Sequence, residues 1–163
     1  MKQIPLTQGK FAIVDDDDYE RLTAMGKWYF MSNGYAVRTE RYKRENGKFS
    51  YRQIRMHREI MGLYFGDKIE VDHINNNRLD NRRCNLRACS KSENNRNASL
   101  RKDNLCKFKG VSFNISSKKY RARIKFNKKN IHLGCFQNII EAAAAYNAAA
   151  LNYFGEFAKL NQI

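Results

Sequence analysis

The segment Val71–Asn97 constrains the fold of this chain more than any other part of it. Its sequence is VDHINNNRLDNRRCNLRACSKSENNRN. Two short segments, Ile69–Val71 and Leu86–Cys89, flank a polar loop and are predicted to be strands. Ser90 and Glu93 then form the pattern of a capping box, which marks the start of a helix. The segment therefore predicts the order strand, loop, strand, helix.

Four polar side chains of this segment suit a divalent cation with a proton acceptor beside it. Asp72 offers an anionic oxygen and Asn94 a neutral amide oxygen, and oxygen ligands suit Mg²⁺ or Mn²⁺. His73 has a side chain whose ordinary pKa, about 6.5, makes it a usable base near neutrality. The side-chain oxygen of Asn85 is predicted to accept the other ring N–H of His73. Because neighbouring residues of a strand face opposite ways, Asp72 and His73 can serve different partners.

The succession of Asp-His, loop, Asn-Leu-Arg and an Asn-bearing helix resembles the HNH nuclease family, the ββα-metal fold. It is most like the phage and intron-encoded homing endonucleases, and the preceding MHREIMG is similar to them as well. The resemblance implies a DNA endonuclease with one Mg²⁺ or Mn²⁺ ion per active site. Asp72 and Asn94 would bind that ion, His73 would be the general base, and Asn85 would orient it. Asn97 is the alternative to Asn94.

Positive charge is concentrated in one third of the chain. The formal net charge is +15, and Arg78–Lys129 alone contains 17 basic and 3 acidic residues. Such a local excess repels itself unless it faces a polyanion, and a phosphate backbone is the simplest one. The composition therefore predicts a nucleic-acid partner, which the nuclease-like segment specifies as double-stranded DNA.

The part of the chain after a basic linker at residues 98–107 has a pattern of its own. Alternation predicts three strands, Lys109–Asn114, Tyr120–Phe126 and Ile131–Phe136, before an alanine-rich helix at Ile139–Phe154. The runs FKGVSF, YRARIKF, IHLGCF and EAAAAYNAAALNYFGEFAKLN resemble the plant ethylene-response-factor (APETALA-two) DNA-binding domain. That resemblance implies an antiparallel sheet in the major groove with the helix packed behind it.

The residues expected to contact DNA are basic or polar. In Tyr120–Phe126 every second residue is basic and would point away from the helix, where arginine can bond guanine. RNA-binding sheets instead expose aromatic residues, so DNA is favoured. The predicted contact residues are Arg87, Arg96, Arg101, Lys102, Lys109, Ser112, Asn114, Arg121, Arg123 and Lys125.

The fold class is predicted as α+β in three parts. Residues 1–55 form a small α+β unit, in which Asp15–Asp18 is interpreted as a helix N-terminus, with a metal site as the alternative. Residues 56–97 form the ββα-metal core, opened by a helix at Met56–Tyr64. Residues 108–163 form the three-stranded antiparallel sheet on one helix. His57 and His132 are taken as surface residues.

Several classes of protein are disfavoured by the sequence. The start of the chain has no apolar run typical of a signal peptide, and no stretch is apolar enough for a membrane span. We therefore expect no membrane association and a cytoplasmic protein of bacterial or phage origin. The four cysteines match no common zinc spacing, so reduced thiols and no structural zinc are expected. We expect a monomer without a small-molecule cofactor. The alternative function is a catalytically inactive DNA-binding regulator.

Overall fold

The computed structural model describes residues 1–98, 100 and 104–163. It mixes helices and strands, which confirms the α+β class, and it divides the chain into two compact units, Met1–Asn94 and Asn95–Ile163. In the part of the chain that it describes, no helix combines the length and the apolar character needed to cross a membrane.

The first unit is built from three small antiparallel sheets and short helices. Strand β1 pairs with β2, β3 and β5 flank β4, and β6 pairs with β7. The bounds in chain order are β1 Lys2–Pro5, β2 Phe11–Val14, α1 Asp16–Ala24, β3 Tyr29–Phe30, β4 Ala36–Lys43, β5 Phe49–Arg55, α2 Met56–Ile60, β6 Glu70–His73, β7 Leu86–Cys89 and α3 Lys91–Asn97. The last helix runs three residues past the unit boundary.

One hydrophobic core serves all of the first unit. Trp28 and Leu22 are fully buried, and the Trp28 indole N–H donates to the Leu22 carbonyl at 2.8 Å. The same core includes Met56 of α2 and Val71 of β6. The boundary proposed at residue 55 stays a prediction, but the segments on its two sides share this core.

The acidic run at the start of α1 holds the polar loop between β6 and β7. The buried carboxylate of Asp18 accepts from Arg83 at 2.8 and 2.9 Å and from Arg21 at 2.8 Å. Asp15 accepts from the backbone N–H of Arg83 at 2.7 Å. These arginines hold the pKa of Asp18 below its usual value, although burial opposes them. The predicted helix N-terminus is present, and its carboxylates serve ion pairs.

In the first unit, the helix and the strand predicted before the polar loop have different bounds in the structure. The helix expected at Met56–Tyr64 ends at Ile60, because Gly62 takes a φ of 67° and its N–H turns back to the Glu59 carbonyl. Such a left-handed glycine ends a helix. Strand β6 continues to His73, where a strand ending at Val71 was expected. Asp72 and His73 therefore lie in a regular strand.

The second unit is a three-stranded antiparallel sheet with one long helix. Strands β8 Val111–Asn114, β9 Lys119–Phe126 and β10 Lys129–Phe136 are ordered β10-β9-β8, and α4 spans Ile139–Phe154. The helix buries small residues such as Ala142 and Ala143 against the sheet. Gly110, with a φ of 76°, precedes β8; any side chain there would overlap the Tyr146 ring. The predicted α4 bounds are confirmed, and the three strands β8, β9 and β10 differ from their predicted bounds only at their first residues.

Candidate active site

The β6–β7 hairpin presents two faces with different chemistry. Asp72 is opposite Arg87 and His73 is opposite Leu86 in the antiparallel register. Because side chains alternate along a strand, Glu70 and Asp72 share one face, and His73 lies on the other face. The predicted division of Asp72 and His73 between different partners is therefore compatible with the hairpin.

The Asp72 face carries the residues predicted to bind a metal ion. Asp72 is 5% exposed, and its Oδ2 accepts from Nε and Nη2 of Arg87 at 3.0 and 2.8 Å. From α3, Asn94 donates through Nδ2 to Oε2 of Glu70 at 2.6 Å. Because Glu70 and Asp72 point to the same side of β6, Asn94 reaches the face on which Asp72 lies.

The donor set on this face fits a divalent cation. Because Asn94 directs its Nδ2 toward Glu70, its Oδ1 is the end of the amide that can accept or ligate. An ionised carboxylate offers about four lone-pair positions, so Arg87 and a cation can share Asp72. Carboxylate and amide oxygens are hard ligands, which Mg²⁺ and Mn²⁺ prefer. Asn97, the alternative ligand, is 4% exposed at the end of α3.

The imidazole of His73 is held in one orientation by Asn81. Its Nε2 lies 3.2 Å from Oδ1 of Asn81, and Nδ2 of Asn81 donates to the Leu79 carbonyl at 3.2 Å. The bond to the Leu79 carbonyl fixes the orientation of the Asn81 amide, so that its Oδ1 faces the His73 ring. In the neutral ring Nε2 then carries the hydrogen, and the basic lone pair lies on Nδ1. Burial lowers the pKa of His73, while the bond to Asn81 and the charge of Asp72 oppose the shift.

Asn85 occupies a different position from the predicted one. Its Oδ1 accepts from the N–H of Asn75 at 3.0 Å, and its Nδ2 donates to the Asp80 carbonyl at 2.7 Å. It lies at the end of a 3₁₀ turn before β7, so its side chain points back into the loop that it closes. The structure places Asn81 where Asn85 was expected. Several asparagines compete in this loop, and their order along the chain does not say which one meets the ring.

The loop that carries Asn81 is held at both edges. The N–H of Asn81 donates to the Ile13 carbonyl of β2 at 2.8 Å, and the N–H of Ile13 donates to the Leu79 carbonyl at 2.8 Å. Arg82 forms two bonds of 2.7 Å to the carboxylate of Asp80, which keeps the pKa of Asp80 below its usual value. The backbone on both sides of Asn81 is therefore fixed, and the side chain of Asn81 is positioned to bond with His73.

Two rings, the buried His57 and the half-buried Tyr35, pack beside His73, and neither contact was predicted. His57 is only 3% exposed, so the surface position predicted for it is wrong. Its ring lies edge-on to His73 at 5.0 Å between centroids, and Tyr35 lies 4.9 Å from His57 and 6.0 Å from His73. Burial lowers the pKa of His57 well below its usual value. The signal available in the sequence was the position of His57 in a short helix between the buried residues Met56 and Ile60.

Three residues predicted to face DNA are engaged within the protein. Arg87 pairs with Asp72, and its side chain is 12% exposed. The guanidinium of Arg96 lies 5.5 and 5.1 Å from the ring centroids of Phe126 and Phe154. The Nζ of Lys109 donates to the carbonyls of Arg96 and Ala98 at 2.5 and 2.8 Å. These carbonyls lie at the C-terminal end of α3, where the last carbonyls of a helix have no donor within the helix. Burial lowers the pKa of Lys109 to about 8.

The other predicted contact residues divide into two groups. Arg101 and Lys102 lie outside the described residues. Five residues alternate with core residues along β8 and β9, and so share the sheet face turned away from α4: Ser112, Asn114, Arg121, Arg123 and Lys125.

The sheet face combines exposed charge with polar atoms that lack partners. Arg123 and Lys125 are exposed. Ser112 and Arg121 are cross-strand neighbours, and within the described residues Ser112 Oγ and Arg121 Nε have no hydrogen-bond partner. Asn114 uses its Oδ1 to accept from the N–H groups of the following turn at 3.1 and 3.4 Å.

Comparisons with known proteins place the chain in a family. Residues 55–96 match the family described as HNH endonuclease. Over 156 residues the chain is 33% identical to a protein of Acanthamoeba polyphaga mimivirus described as an uncharacterized HNH endonuclease; the match covers 96% of this chain and 77% of that protein. No solved structure matches the chain significantly.

The family match and the name of the mimivirus relative support a nuclease, a hydrolase of DNA. The chain belongs to the HNH endonuclease family. Members of this family generally depend on a divalent metal ion. The family assignment also implies a DNA substrate.

Proposed function

We propose that the chain is a sequence-recognising, Mg²⁺- or Mn²⁺-dependent DNA endonuclease of the homing type. The observation that carries this proposal is the arrangement at β6. Asp72 lies on the face of β6 that Asn94 of α3 reaches through its bond to Glu70, while the neighbouring His73 is buried and held by Asn81. A carboxylate, a carboxamide and an oriented base are the groups that metal-assisted phosphodiester hydrolysis needs.

Each residue has a separate task in the proposed reaction. Asp72 and Asn94 would hold the cation, which would neutralise the charge developing on the phosphate oxygens. His73 accepts a proton at Nδ1 from the attacking water, because its Nε2–H is committed to Asn81. Arg87 fixes the Asp72 carboxylate through Oδ2. Asn85 keeps the loop closed, so it acts through Asn81 rather than on the ring.

One observation favours the alternative of an inactive DNA-binding regulator. The ion pair between Arg87 and Asp72 is largely buried, with side chains 12% and 6% exposed. In this pair Arg87 already neutralises the Asp72 carboxylate, whose negative charge would otherwise attract a metal ion. The two functions differ in whether DNA is cut when the metal is supplied, so one assay separates them.

The test is conversion of supercoiled plasmid by the purified chain with Mg²⁺, with Mn²⁺, and with EDTA. We expect nicked circles with either metal and none with the chelator. A single active site per chain makes one nick the expected product of a monomer on an asymmetric site. Binding without cleavage in both metals would establish the regulator instead. End-mapping of the products then identifies the strand and position cut.

We propose that the second unit supplies the recognition, as the ethylene-response-factor-like pattern predicts. Support comes from the outer sheet face, where Arg123 and Lys125 are exposed and Arg121 is half-buried. A sheet fits the major groove, and arginine can bond guanine through two hydrogen bonds.

Arg123→Lys is the sharpest test of base reading on this face. Lysine keeps the charge but loses the planar fork that matches guanine. We expect the preference for the selected site over random duplex to fall roughly 10-fold or more, since a bidentate base contact is worth about 1–3 kcal/mol. Affinity for random duplex should stay nearly constant. Selection from a randomised pool, followed by competition binding, measures both.

Arg123→Ala serves as the second variant, because it removes charge as well as the fork. It should weaken binding to both the selected and the random duplex. If Arg123→Lys leaves site preference intact while Arg123→Ala lowers both affinities equally, Arg123 contacts phosphate and does not read a base.

A further inference from the structure

The β4–β5 hairpin of the first unit has an exposed face with no assigned role. Its strands pair from Val37 opposite Arg55 to Lys43 opposite Phe49. Alternate residues of the two strands are exposed on one side, and we call them the hairpin face: Thr39, Arg41, Lys43, Phe49, Tyr51, Gln53 and Arg55. Tyr51 and Phe49 are 68% and 57% exposed.

Charge is segregated between the two faces of this hairpin. On the opposite face, Glu40 pairs with both Arg38 and Arg52 at 3.1 and 2.5 Å. The hairpin face has three basic residues and no acidic one. Within the described residues, none of those three forms an ion pair with a carboxylate. The charges on the opposite face are therefore joined in ion pairs, whereas the hairpin face presents positive charge alone.

The aromatic residues on the hairpin face orient the charges. The guanidinium of Arg41 lies 3.6 Å from the centroid of the Phe49 ring. Tyr51 is the cross-strand neighbour of Arg41. A guanidinium over an aromatic face keeps its N–H groups directed outward, and stacking reduces the freedom that binding an anion would otherwise remove.

The hairpin face ends beside the general base. Arg55 and Arg78 lie 5.3 and 4.8 Å from the centroid of Tyr35, the ring that also packs near His73. Both guanidiniums lie on exposed residues, and neither forms an ion pair within the described residues. Positive charge thus continues from Lys43 at the hairpin tip to the ring cluster around His73.

We propose that the hairpin face, continued by Arg55 and Arg78, binds the phosphate backbone of duplex DNA next to the cleaved bond. This deepens the proposed function and depends on it for the identity of the substrate. Alternate side chains of a strand are about 6.8 Å apart, which is the rise of about two base-pair steps. A two-stranded ribbon is also a shape that the major groove admits. Arg41 and Lys43 are therefore spaced to follow one DNA strand.

The experiment compares two double variants with the same loss of charge. Arg41→Gln with Lys43→Gln removes charge from the hairpin face. Lys10→Gln with Lys27→Gln removes the same charge from exposed positions outside the hairpin. Binding to a fixed duplex is measured in EDTA over a range of salt concentrations, and the thermal midpoint confirms that each variant is folded. Because no cleavage is needed, the result does not depend on activity.

We expect the first variant to lower the slope of log affinity against log salt by about 2, or about 1 for each phosphate that is no longer neutralised. The control should keep the slope of the unmodified chain. Equal slopes for the two variants would overturn the proposal, because the hairpin would then contribute only net charge. An unmodified chain that binds but never cuts would refute the proposed function while leaving the hairpin result standing.

Ethylation interference locates the DNA phosphates that the hairpin face binds. With the unmodified chain, ethylation of phosphates next to the cleavage site should block binding. With the Arg41→Gln, Lys43→Gln variant, ethylation at two of these positions should no longer affect binding. Interference that is unchanged in this variant, or confined to positions far from the cut, would contradict the placement beside His73.

Discussion

His73→Ala is expected to lower the single-turnover rate of DNA cleavage roughly 1,000-fold, within the range of about 10² to 10⁴ that a positioned general base contributes. The reason is local. The ring is 4% exposed, and Asn81 holds its Nε2 so that Nδ1 is the basic atom. Affinity for duplex DNA should change little, because the charged surfaces are untouched. Single-turnover assays with excess protein separate the rate from binding.

Added imidazole provides the control for this variant. The side chain removed is a ring packed against His57 and Tyr35, so alanine leaves a cavity that a free imidazole can enter. Partial recovery of cleavage with imidazole, and none with an amine of similar size, would show that the missing function is the base. Asn81→Leu should cost less, since the ring remains and only its preferred tautomer is released. Cleavage by His73→Ala at the original rate would refute the assignment.

Asp72→Asn is expected to lower cleavage by about 1,000-fold, because charge stabilisation by a bound metal is worth several kcal/mol and each 1.4 kcal/mol is a factor of ten. Its affinity for Mn²⁺, measured by titration calorimetry, should fall in parallel. The substitution also removes the carboxylate that pairs with the guanidinium of Arg87, whose side chain is 12% exposed. Breaking a buried pair in this way costs about 3–5 kcal/mol of stability.

Two further variants separate chemistry from stability in the Asp72 result. Asp72→Asn combined with Arg87→Gln removes both charges, so the free energy of unfolding should recover while cleavage stays low. Asp67→Asn is the matched substitution outside the site. Its exposed carboxylate accepts the N–H of Tyr64 at 2.6 Å, a bond that an amide oxygen can keep. Recovery of cleavage in the double variant would mean that Asp72 acts only by balancing Arg87.

The helix and strands near the site could be predicted from the sequence because capping and side-chain alternation depend on residues close together in the chain. Ser90 and Glu93 form the predicted reciprocal bonds, from the N–H of Ser90 to Oε2 at 2.8 Å and from the N–H of Glu93 to Oγ at 3.3 Å. Strand β7 has its predicted bounds, Leu86–Cys89. Alternation along β9 placed Arg121, Arg123 and Lys125 on one face, because a strand has a period of two.

The sequence did not predict hydrogen-bond and packing partners that lie far apart in the chain or compete within one loop. Asn81 and Asn85 carry the same amide four residues apart, and the loop is anchored to β2 by Ile13, more than sixty residues upstream. That anchoring turns Asn81 toward His73 and leaves Asn85 to close the loop. The burial of His57 was likewise not predicted, because the rings that pack against it, Tyr35 and His73, come from other segments of the chain.

The sequence by itself determined the order of strand, loop, strand and helix, the residue types that suit a metal-dependent nuclease, and the charge that points to DNA. Only the tertiary structure decided which amide orients His73, which arginine neutralises Asp72, and that Lys109 caps a helix when it was expected to contact DNA. The physical reason is that periodicity and capping act over a few residues. Hydrogen bonds and ion pairs between side chains depend on which distant segments the core brings together.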